Sequence, residues 1–184
     1  MNLSECLSRI EPQSAKWREA ARDHIRSLTM PRWALGRLLD LAVDLAGITR
    51  RIDFPVARKK IVLMAGDHGV VAEKVSPQPQ CVTVQMLRNF SRGGGAIRVL
   101  AANAGADVRL VDLGVNADVR GLPGVIHRKI AFGTENMRRG PAMSRAQALA
   151  SVEAGIALAE ELAPETDVFA TGEMGIGNTT PSSA

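Results

Sequence analysis

One short run already indicates the fold class of this chain, Lys60-Ile61-Val62-Leu63-Met64-Ala65-Gly66-Asp67-His68-Gly69. An aliphatic run of this kind, without polar alternation, is typical of a parallel strand that is covered on both faces. The polar residues that follow it lie where an open α/β sheet binds its ligands, beyond the carboxyl end of a strand. The run therefore predicts a buried strand at residues 61–65 and a candidate site directly after it.

Further aliphatic runs follow, separated by stretches with helical periodicity. The predicted strands cover residues 108–113 and 167–170, with a fourth at 125–130, and the predicted helices cover about 82–90, 96–104 and 145–162. Ser144 and Gln147 have the spacing of a capping box at the start of the last helix. Its apolar residues at 149, 152, 156 and 159 predict a buried stripe. Alternating strands and helices predict an α/β fold, a Rossmann-like parallel sheet with flanking helices.

The first fifty residues have a different pattern. Apolar residues recur at three- and four-residue steps over residues 17–28 and 35–46, which predicts two helices. Ser14 is the expected N-cap of the first. We expect residues 1–50 to be the helical segment of a small domain, an N-terminal helical appendage. Residues 51–184 are expected to form the α/β domain that contains the parallel sheet.

Composition excludes several classes of protein. The chain is 46% hydrophobic but only 3% aromatic, so disorder is not expected and the core has to be aliphatic. Cys6 and Cys81 are too few for a disulfide framework, which favours a reducing, cytoplasmic setting with Cys81 as a small buried residue. Scattered basic residues without aromatic neighbours predict no nucleic-acid partner. No apolar run is long enough to span a membrane, so no membrane partner is expected.

Polar residues follow three of the predicted strands. Asp67-His68 follows the first, Asp112 ends the second, and a glycine-rich loop at residues 172–180 follows the third. Glycines let backbone N–H groups approach a phosphate closely, and the threonine hydroxyls can donate as well. An ordinary strand-to-helix turn with Asn178 or Thr179 as N-cap explains the loop equally well. These residues predict a small-molecule site that binds phosphate at the carboxyl edge of the sheet.

The pair Asp67-His68 also has two interpretations. It could ligate a metal or transfer protons, but neither His24 nor His127 lies in a comparable setting, so no metal site is expected. The favoured interpretation is structural: the aspartate caps the next turn and the histidine forms a hydrogen bond at the strand end.

Several longer segments carry a resemblance to a known family. They cover residues 65–70, 75–77 with 82–83, 89–94, 111–115, 133–136 with 140–143, and Thr171-Gly172-Glu173-Met174-Gly175-Ile176-Gly177-Asn178-Thr179-Thr180. In this order they resemble the nicotinate-nucleotide:dimethylbenzimidazole phosphoribosyltransferase family from about Pro31 onward. Where the family usually has Lys-Pro-x-Gly-Ser-Leu-Gly, Trp33 and Ala34 replace the glycine and the serine. Family members are about twice as long, so the resemblance implies that this chain is their N-terminal half and that residues 51–184 are the N-terminal part of a truncated Rossmann-like phosphoribosyltransferase domain.

The resemblance implies phosphoribosyl transfer from nicotinate mononucleotide to 5,6-dimethylbenzimidazole, giving α-ribazole 5′-phosphate and nicotinate in cobalamin nucleotide-loop assembly. This is a pentosyltransferase reaction, for which no cofactor is expected. A ring nitrogen attacks C1′ with inversion and nicotinate departs, so the step is helped by a carboxylate that removes the azole proton. In the family this base is a glutamate near the C-terminus, expected beyond residue 184. The resemblance also implies small-molecule substrates and a homodimer of the full-length protein.

Candidate site residues follow from the same resemblance. Glu173 is expected to contact the substrate and orient it. The loop residues expected beside the phosphoribosyl and nicotinate groups are Met174, Gly175, Gly177, Asn178, Thr179 and Thr180. Ser76 and Pro77 are expected to border the benzimidazole pocket, with Met86 as a further candidate.

Two other interpretations stay open. The chain could be a non-catalytic module that binds a nucleotide or phosphate, or an inactive fragment that lacks the C-terminal catalytic base. The accepted lower-ligand base is also left open, because residues of the second half complete that pocket.

Overall fold

The computed structural model describes residues 1–184 and contains two compact units, Ser4–Val56 and Met1–Leu3 with Ala57–Ala184. The helices are α1 Leu3–Ser8, α2 Ala15–Ser27, α3 Arg37–Thr49, α4 Cys81–Ser91, α5 Ala96–Asn103, α6 Arg145–Leu162 and α7 Thr179–Ser183. Short 3-10 helices cover Gly69–Glu73 and Ala163–Glu165. The strands are β1 Lys59–Gly66, β2 Ala106–Gly114, β3 Val125–His127 and β4 Val168–Met174. None of the helices is long and apolar enough to span a lipid bilayer.

The strands form one parallel sheet in the order β3-β2-β1-β4, which confirms the predicted α/β fold. β4 pairs with β1 from Lys59 opposite Val168 to Ala65 opposite Met174. It therefore extends four residues beyond the predicted end at residue 170. Gly172 and Glu173 have low strand propensity, and the pairing with β1 overrides that propensity.

Alternate residues of β1 pack on opposite faces of the sheet. Leu63 and Ala65 join a core cluster with residues of α4 and α5. Val62 joins a second cluster with Leu158 and Leu162 of α6. Burial of each such aliphatic side chain contributes about 1.5–3 kcal/mol, so both faces of the strand stabilise the sheet.

The predicted stripe on α6 is wrong. Leu149 and Val152 are 42% and 48% exposed, whereas Leu158 and Leu162 are buried. Leu158 and Leu162 continue a helical row that begins with two polar side chains, Gln147 and Ser151, which line a cavity. Because polar residues occupy the inward row at that end, the apolar periodicity selected the wrong face.

Local signals at helix starts are confirmed more often. Ser144 and Gln147 form the predicted capping box, with hydrogen bonds of 3.2 and 2.8 Å. Ser14 caps α2 as predicted, accepting from Trp17 N at 3.5 Å. Cys81, expected to be buried, is exposed at the first residue of α4, because the inward positions of that helix are taken by other side chains.

The unit Ser4–Val56 has its own small core. α2 and α3 pack through Ala21, Ile25, Leu39, Val43 and Ala46. Trp33, in the turn between them, has φ +53°, a left-handed conformation that favours glycine. The family usually has glycine at this position, so the backbone conformation accounts for the family preference. In this chain the indole N–H donates to Asp40 at 3.2 Å.

Asp167 joins the amino-terminal ends of β1 and β4. Its side chain is 3% exposed and accepts from the Arg58 guanidinium at 2.7 and 3.0 Å and from Arg58 N at 2.8 Å. These bonds, the guanidinium foremost, hold the pKa of Asp167 below its ordinary value of 3.8. A carboxylate with a lowered pKa stabilises the fold above pH 3.8, and the contribution is lost as the pH falls through the folded-state pKa.

Asp167→Asn is therefore expected to lower the Tm at about pH 7 and to have a smaller effect at about pH 3. Thermal unfolding followed by circular dichroism across this range measures the difference. Asp23→Asn is the control, because that carboxylate is 68% exposed on α2. A loss of stability that is equal at both pH values would contradict the assignment.

Candidate active site

A cavity of about 360 Å³ opens at the carboxyl edge of the sheet. It lies at the ends of β1, β2 and β4, where an open α/β sheet is expected to bind a ligand. Its lining residues are Met64, Ala65, Gly66, Asp67, His68, Leu113, Gly114, Ile130, Ala131, Gly133, Thr134, Glu135, Ala142, Met143, Gln147, Ser151, Glu173, Met174, Asn178 and Ser182. The volume is in the range of small-molecule sites.

The floor of the cavity is formed by closely packed backbone. β1 and β2 change register after Ala65, so that Gly66 pairs with Gly114. Gly69 packs against the next loop so closely that a Cβ there would lie 2.6 Å from Thr134 O. Two N–H groups of the segment after β3, those of Arg128 and Ile130, continue the bonding to β2 at 2.9 and 2.8 Å. The cavity walls are thus held by main-chain contacts.

Asp67 and His68, for which a structural role was favoured, both line the cavity. Asp67 is 2% exposed and its Oδ2 accepts from Asn116 N at 2.7 Å. His68 is half-buried, and burial lowers its pKa below 6.5 despite the nearby carboxylates of Asp67 and Glu173. The lowered pKa favours the neutral form of the imidazole. Both residues belong to the site geometry as well as to the strand end.

Glu173 lies near the end of β4, with its side chain exposed at the cavity. Asn178 donates a hydrogen bond to its Oε2. The strand and the amide together orient one carboxylate toward the cavity. Of the residues predicted from the family resemblance, Glu173, Met174 and Asn178 are the ones that line this cavity.

The glycine-rich loop connects β4 to α7, with Asn178 at the N-cap position but without the side-chain capping bond that the turn interpretation predicts. Ile176 N donates to Thr83 Oγ1 of α4 at 3.1 Å, and Asn178 N donates to Gly175 O at 3.1 Å. α7 begins directly afterwards at Thr179. Gly177 has φ +84°, a conformation that favours glycine. Several N–H groups of the loop are thus used within the chain.

The other predicted residues lie outside the cavity lining. Ser76 Oγ accepts from Gln78 N at 3.2 Å in the segment before α4, and Pro77 lies between them. Met86 packs against the core cluster that contains Leu63. Four loop residues are close in sequence to residues of the cavity lining but do not line the cavity themselves: Gly175, Gly177, Thr179 and Thr180. Contacts of these residues with substrate remain predictions.

Sequence reasoning missed most of the apolar wall. Met64 lies in β1 and Leu113 in β2, and Met143 lies just before α6; all three line the cavity. Thr134 and Glu135 belong to a segment that resembles the family, but no role was predicted for them. Gln147 and Ser151 could have been found from the sequence. They are one helical turn apart and lie on the same face of α6 as the buried Leu158.

The electrostatics of the cavity are one-sided. Asp67, Glu135 and Glu173 line it, whereas no lysine or arginine does. Arg138, three residues after Glu135, forms an ion pair with Glu73 at 2.7 Å. Hydrogen bonds from Asn136 and Arg138 hold the pKa of Glu73 below its ordinary value of 4.5. No group of three or more His, Cys, Asp or Glu side chains could hold a metal ion. The cavity therefore suits a neutral or cationic group better than an anion.

Comparisons with known proteins agree with this architecture. A family model described as phosphoribosyltransferase matches residues 10–184. The nicotinate-nucleotide–dimethylbenzimidazole phosphoribosyltransferases of Syntrophotalea carbinolica and Desulfotalea psychrophila are 54% and 51% identical over 185 residues, covering 99% of this chain. The crystal structure of the enzyme of that name from Thermus thermophilus has a TM-score of 0.86 and 41% identity. That match covers 91% of this chain and 51% of the other.

The chain spans about half the length of the curated relatives it matches, 52% for the two named above. The matched residues include those of the four strands described above and those that line the cavity. The chain belongs to the nicotinate-nucleotide–dimethylbenzimidazole phosphoribosyltransferase family.

Proposed function

We propose that this chain forms one side of the site in which a phosphoribosyl group passes from nicotinate mononucleotide to 5,6-dimethylbenzimidazole. The products are α-ribazole 5′-phosphate and nicotinate, in assembly of the cobalamin nucleotide loop. The names of the relatives support both substrates. The structural observation that carries the proposal is the cavity, which combines apolar walls with carboxylates and has no lining lysine or arginine.

The apolar walls suit a flat aromatic ring. Met64, Met143 and Met174 line the cavity, together with Leu113 and Ile130. A thioether in contact with an aromatic ring contributes about 0.3–1.5 kcal/mol, and methionine adapts to irregular shapes. A volume of about 360 Å³ leaves room for the benzimidazole and the sugar to which it becomes attached.

The carboxylates suit the movement of charge during the reaction. Positive charge leaves the pyridinium ring as nicotinate departs and develops on the benzimidazole whose nitrogen attacks C1′. Fixed carboxylates in a partly dry cavity stabilise that developing charge. Glu173, oriented by Asn178, is proposed to accept the azole N–H and so direct the other nitrogen toward C1′. The family glutamate outside residues 1–184 is proposed to share this N–H and, as the principal base, to take its proton when the C1′–N bond forms, so that Glu173 only orients the ring.

The phosphate is assigned outside the cavity. An anion between these walls would lie near three carboxylates with no lining cation to offset them. Ile176 N and Asn178 N of the glycine-rich loop are already bonded within the chain. We therefore assign the ring and the ribosyl group to the cavity and the phosphate to groups beyond it.

The proposal is tested with Glu173→Gln in the 184-residue chain. Calorimetric titration with 5,6-dimethylbenzimidazole is expected to show an affinity about 10-fold lower than wild type, because glutamine keeps the shape but loses the anionic acceptor. Glu165→Gln is the control, since Glu165 ends the 3-10 helix that precedes β4, at the opposite edge of the sheet. Absence of azole binding by the wild type would contradict the proposal.

A second measurement separates transfer from binding. The chain is incubated with both substrates, and nicotinate release is followed by chromatography. Binding without release supports a base outside this chain and is the behaviour of a non-catalytic module. Turnover by the 184 residues would contradict that assignment of the base.

We further propose that residues 1–50 belong to a small domain and that residues 51–184 are the N-terminal part of the phosphoribosyltransferase domain. The full-length protein is proposed to be a cytoplasmic homodimer. Two unpaired cysteines support a reducing compartment. The exposed Leu149 and Val152 support contact with another apolar surface, which sedimentation equilibrium of the full-length protein would test.

A further inference from the structure

Asp67 is held in place by two segments of the chain, residues 114–116 at the end of β2 and the loop that contains Thr134. Its N–H donates to Gly114 O at 2.9 Å, its carbonyl accepts from Thr134 N at 3.0 Å, and its Oδ2 accepts from Asn116 N at 2.7 Å. The side chain is 2% exposed. Backbone and one carboxylate oxygen are therefore fixed by contacts that do not involve the other oxygen.

The other oxygen, Oδ1, is buried and has no hydrogen-bond donor in the protein. A buried carboxylate oxygen without a donor is unfavourable, because desolvation is not compensated. Asp112, the corresponding buried carboxylate at the end of β2, also has one oxygen, Oδ2, without a hydrogen bond, but its carboxylate forms an ion pair within the protein. Lys129 Nζ lies 3.0 Å from both of its oxygens, and Val115 N donates to Oδ1 at 2.9 Å.

The two aspartates also differ in position. Asp67 lines the cavity, whereas Asp112 does not. The cavity around Asp67 is open because Gly66, Gly114 and Gly133 contribute no side chains to it. The lining contains no lysine or arginine, so no cation of the protein compensates Oδ1 there, and a molecule that occupies the cavity can supply the donor that Oδ1 lacks.

Resting on the proposed function, we infer that Asp67 Oδ1 accepts a hydrogen bond from a ribosyl hydroxyl of bound nicotinate mononucleotide. The azole has a single N–H, and Glu173 takes it in the proposed arrangement. The hydroxyls of the ribosyl group are then the neutral donors left for Asp67. No cluster of metal-binding side chains surrounds it, which favours a hydrogen-bond donor over a metal ion. Asp67 is thus a substrate-binding residue that fixes the sugar beside the attacking ring.

The test is Asp67→Asn, titrated separately with nicotinate mononucleotide and with 5,6-dimethylbenzimidazole. Asn116 N requires an oxygen opposite it, so the introduced amide group places its NH₂ where Oδ1 was, and an NH₂ cannot accept a hydrogen bond. We expect the affinity for nicotinate mononucleotide to fall about 10-fold or more and the affinity for the azole to stay within about threefold. Asp67→Ala would be less informative, because Asn116 N would lose its acceptor.

Asp112→Asn is the matched control for burial. Main-chain bonds from Arg128 and Ile130 hold the adjacent wall, so this variant is expected to lose stability without losing affinity for the nucleotide. If Asp67→Asn binds the nucleotide as tightly as wild type, the inference about Asp67 is wrong, whereas the proposed function is unaffected. Equal losses for both ligands also overturn the inference, since they indicate a damaged cavity. A wild type that binds the azole but not the nucleotide overturns it as well, and a wild type that binds neither overturns the proposed function with it.

Discussion

Gly175→Ala is expected to lower the Tm of the chain by roughly 6–12 °C. A Cβ at this position would lie 2.1 Å from Gly66 O and 3.2 Å from the His68 ring. Gly66 is paired within the sheet, so its carbonyl cannot yield without disturbing β1. Overpacking of this kind costs about 3 kcal/mol, and about 2–4 °C is lost per kcal/mol in a chain of this size. Thermal unfolding by circular dichroism measures the shift.

Gly155→Ala is the matched control. Gly155 lies within α6, and a Cβ there meets no atom within 4 Å. Alanine is favoured over glycine in a helix interior by about 1 kcal/mol, so this variant is expected to be slightly more stable than wild type. A Gly175→Ala variant with the wild-type Tm would show that the loop can move away from β1.

Asp112→Ala is expected to have a similarly large effect on the free energy of unfolding. The Lys129 side chain is only 19% exposed and would keep its charge without a counter-ion. Removing one partner of a buried ion pair costs about 3–5 kcal/mol. Val115 N would also lose its acceptor. Urea unfolding at pH 7 measures the loss.

The double variant Asp112→Ala/Lys129→Met separates the ion pair from the other contacts. Once the ammonium is removed as well, the unpaired charge no longer contributes. The double variant is therefore expected to be more stable than the sum of the two single losses predicts, by about 1 kcal/mol or more. Strictly additive losses would show that the pair is not coupled.

Elements with local signals could be predicted well. β1 is an unbroken aliphatic run, and α6 begins at a capping box whose two partners are three residues apart. Features that depend on partners distant in sequence could not. β4 continues to Met174 because β1 pairs with it, and the inward row of α6 is polar at its start because it faces a cavity.

The site divides in the same way. Glu173 could be selected because it lies in a specific segment that resembles a family. Asp67 was given a structural role, because sequence cannot show which of its oxygens would find a donor. That depends on Asn116, which lies 49 positions away.

Short stretches of sequence were sufficient to predict the fold class, the family and the strand ends at which a site could form. The reason is that strand hydrophobicity, helix caps and family segments are all properties of short contiguous stretches. The tertiary structure decided which side chains share one cavity and which carboxylate lacks a donor. Such properties depend on contacts such as Ile176 with Thr83, 93 positions apart, which form only when the sheet is assembled.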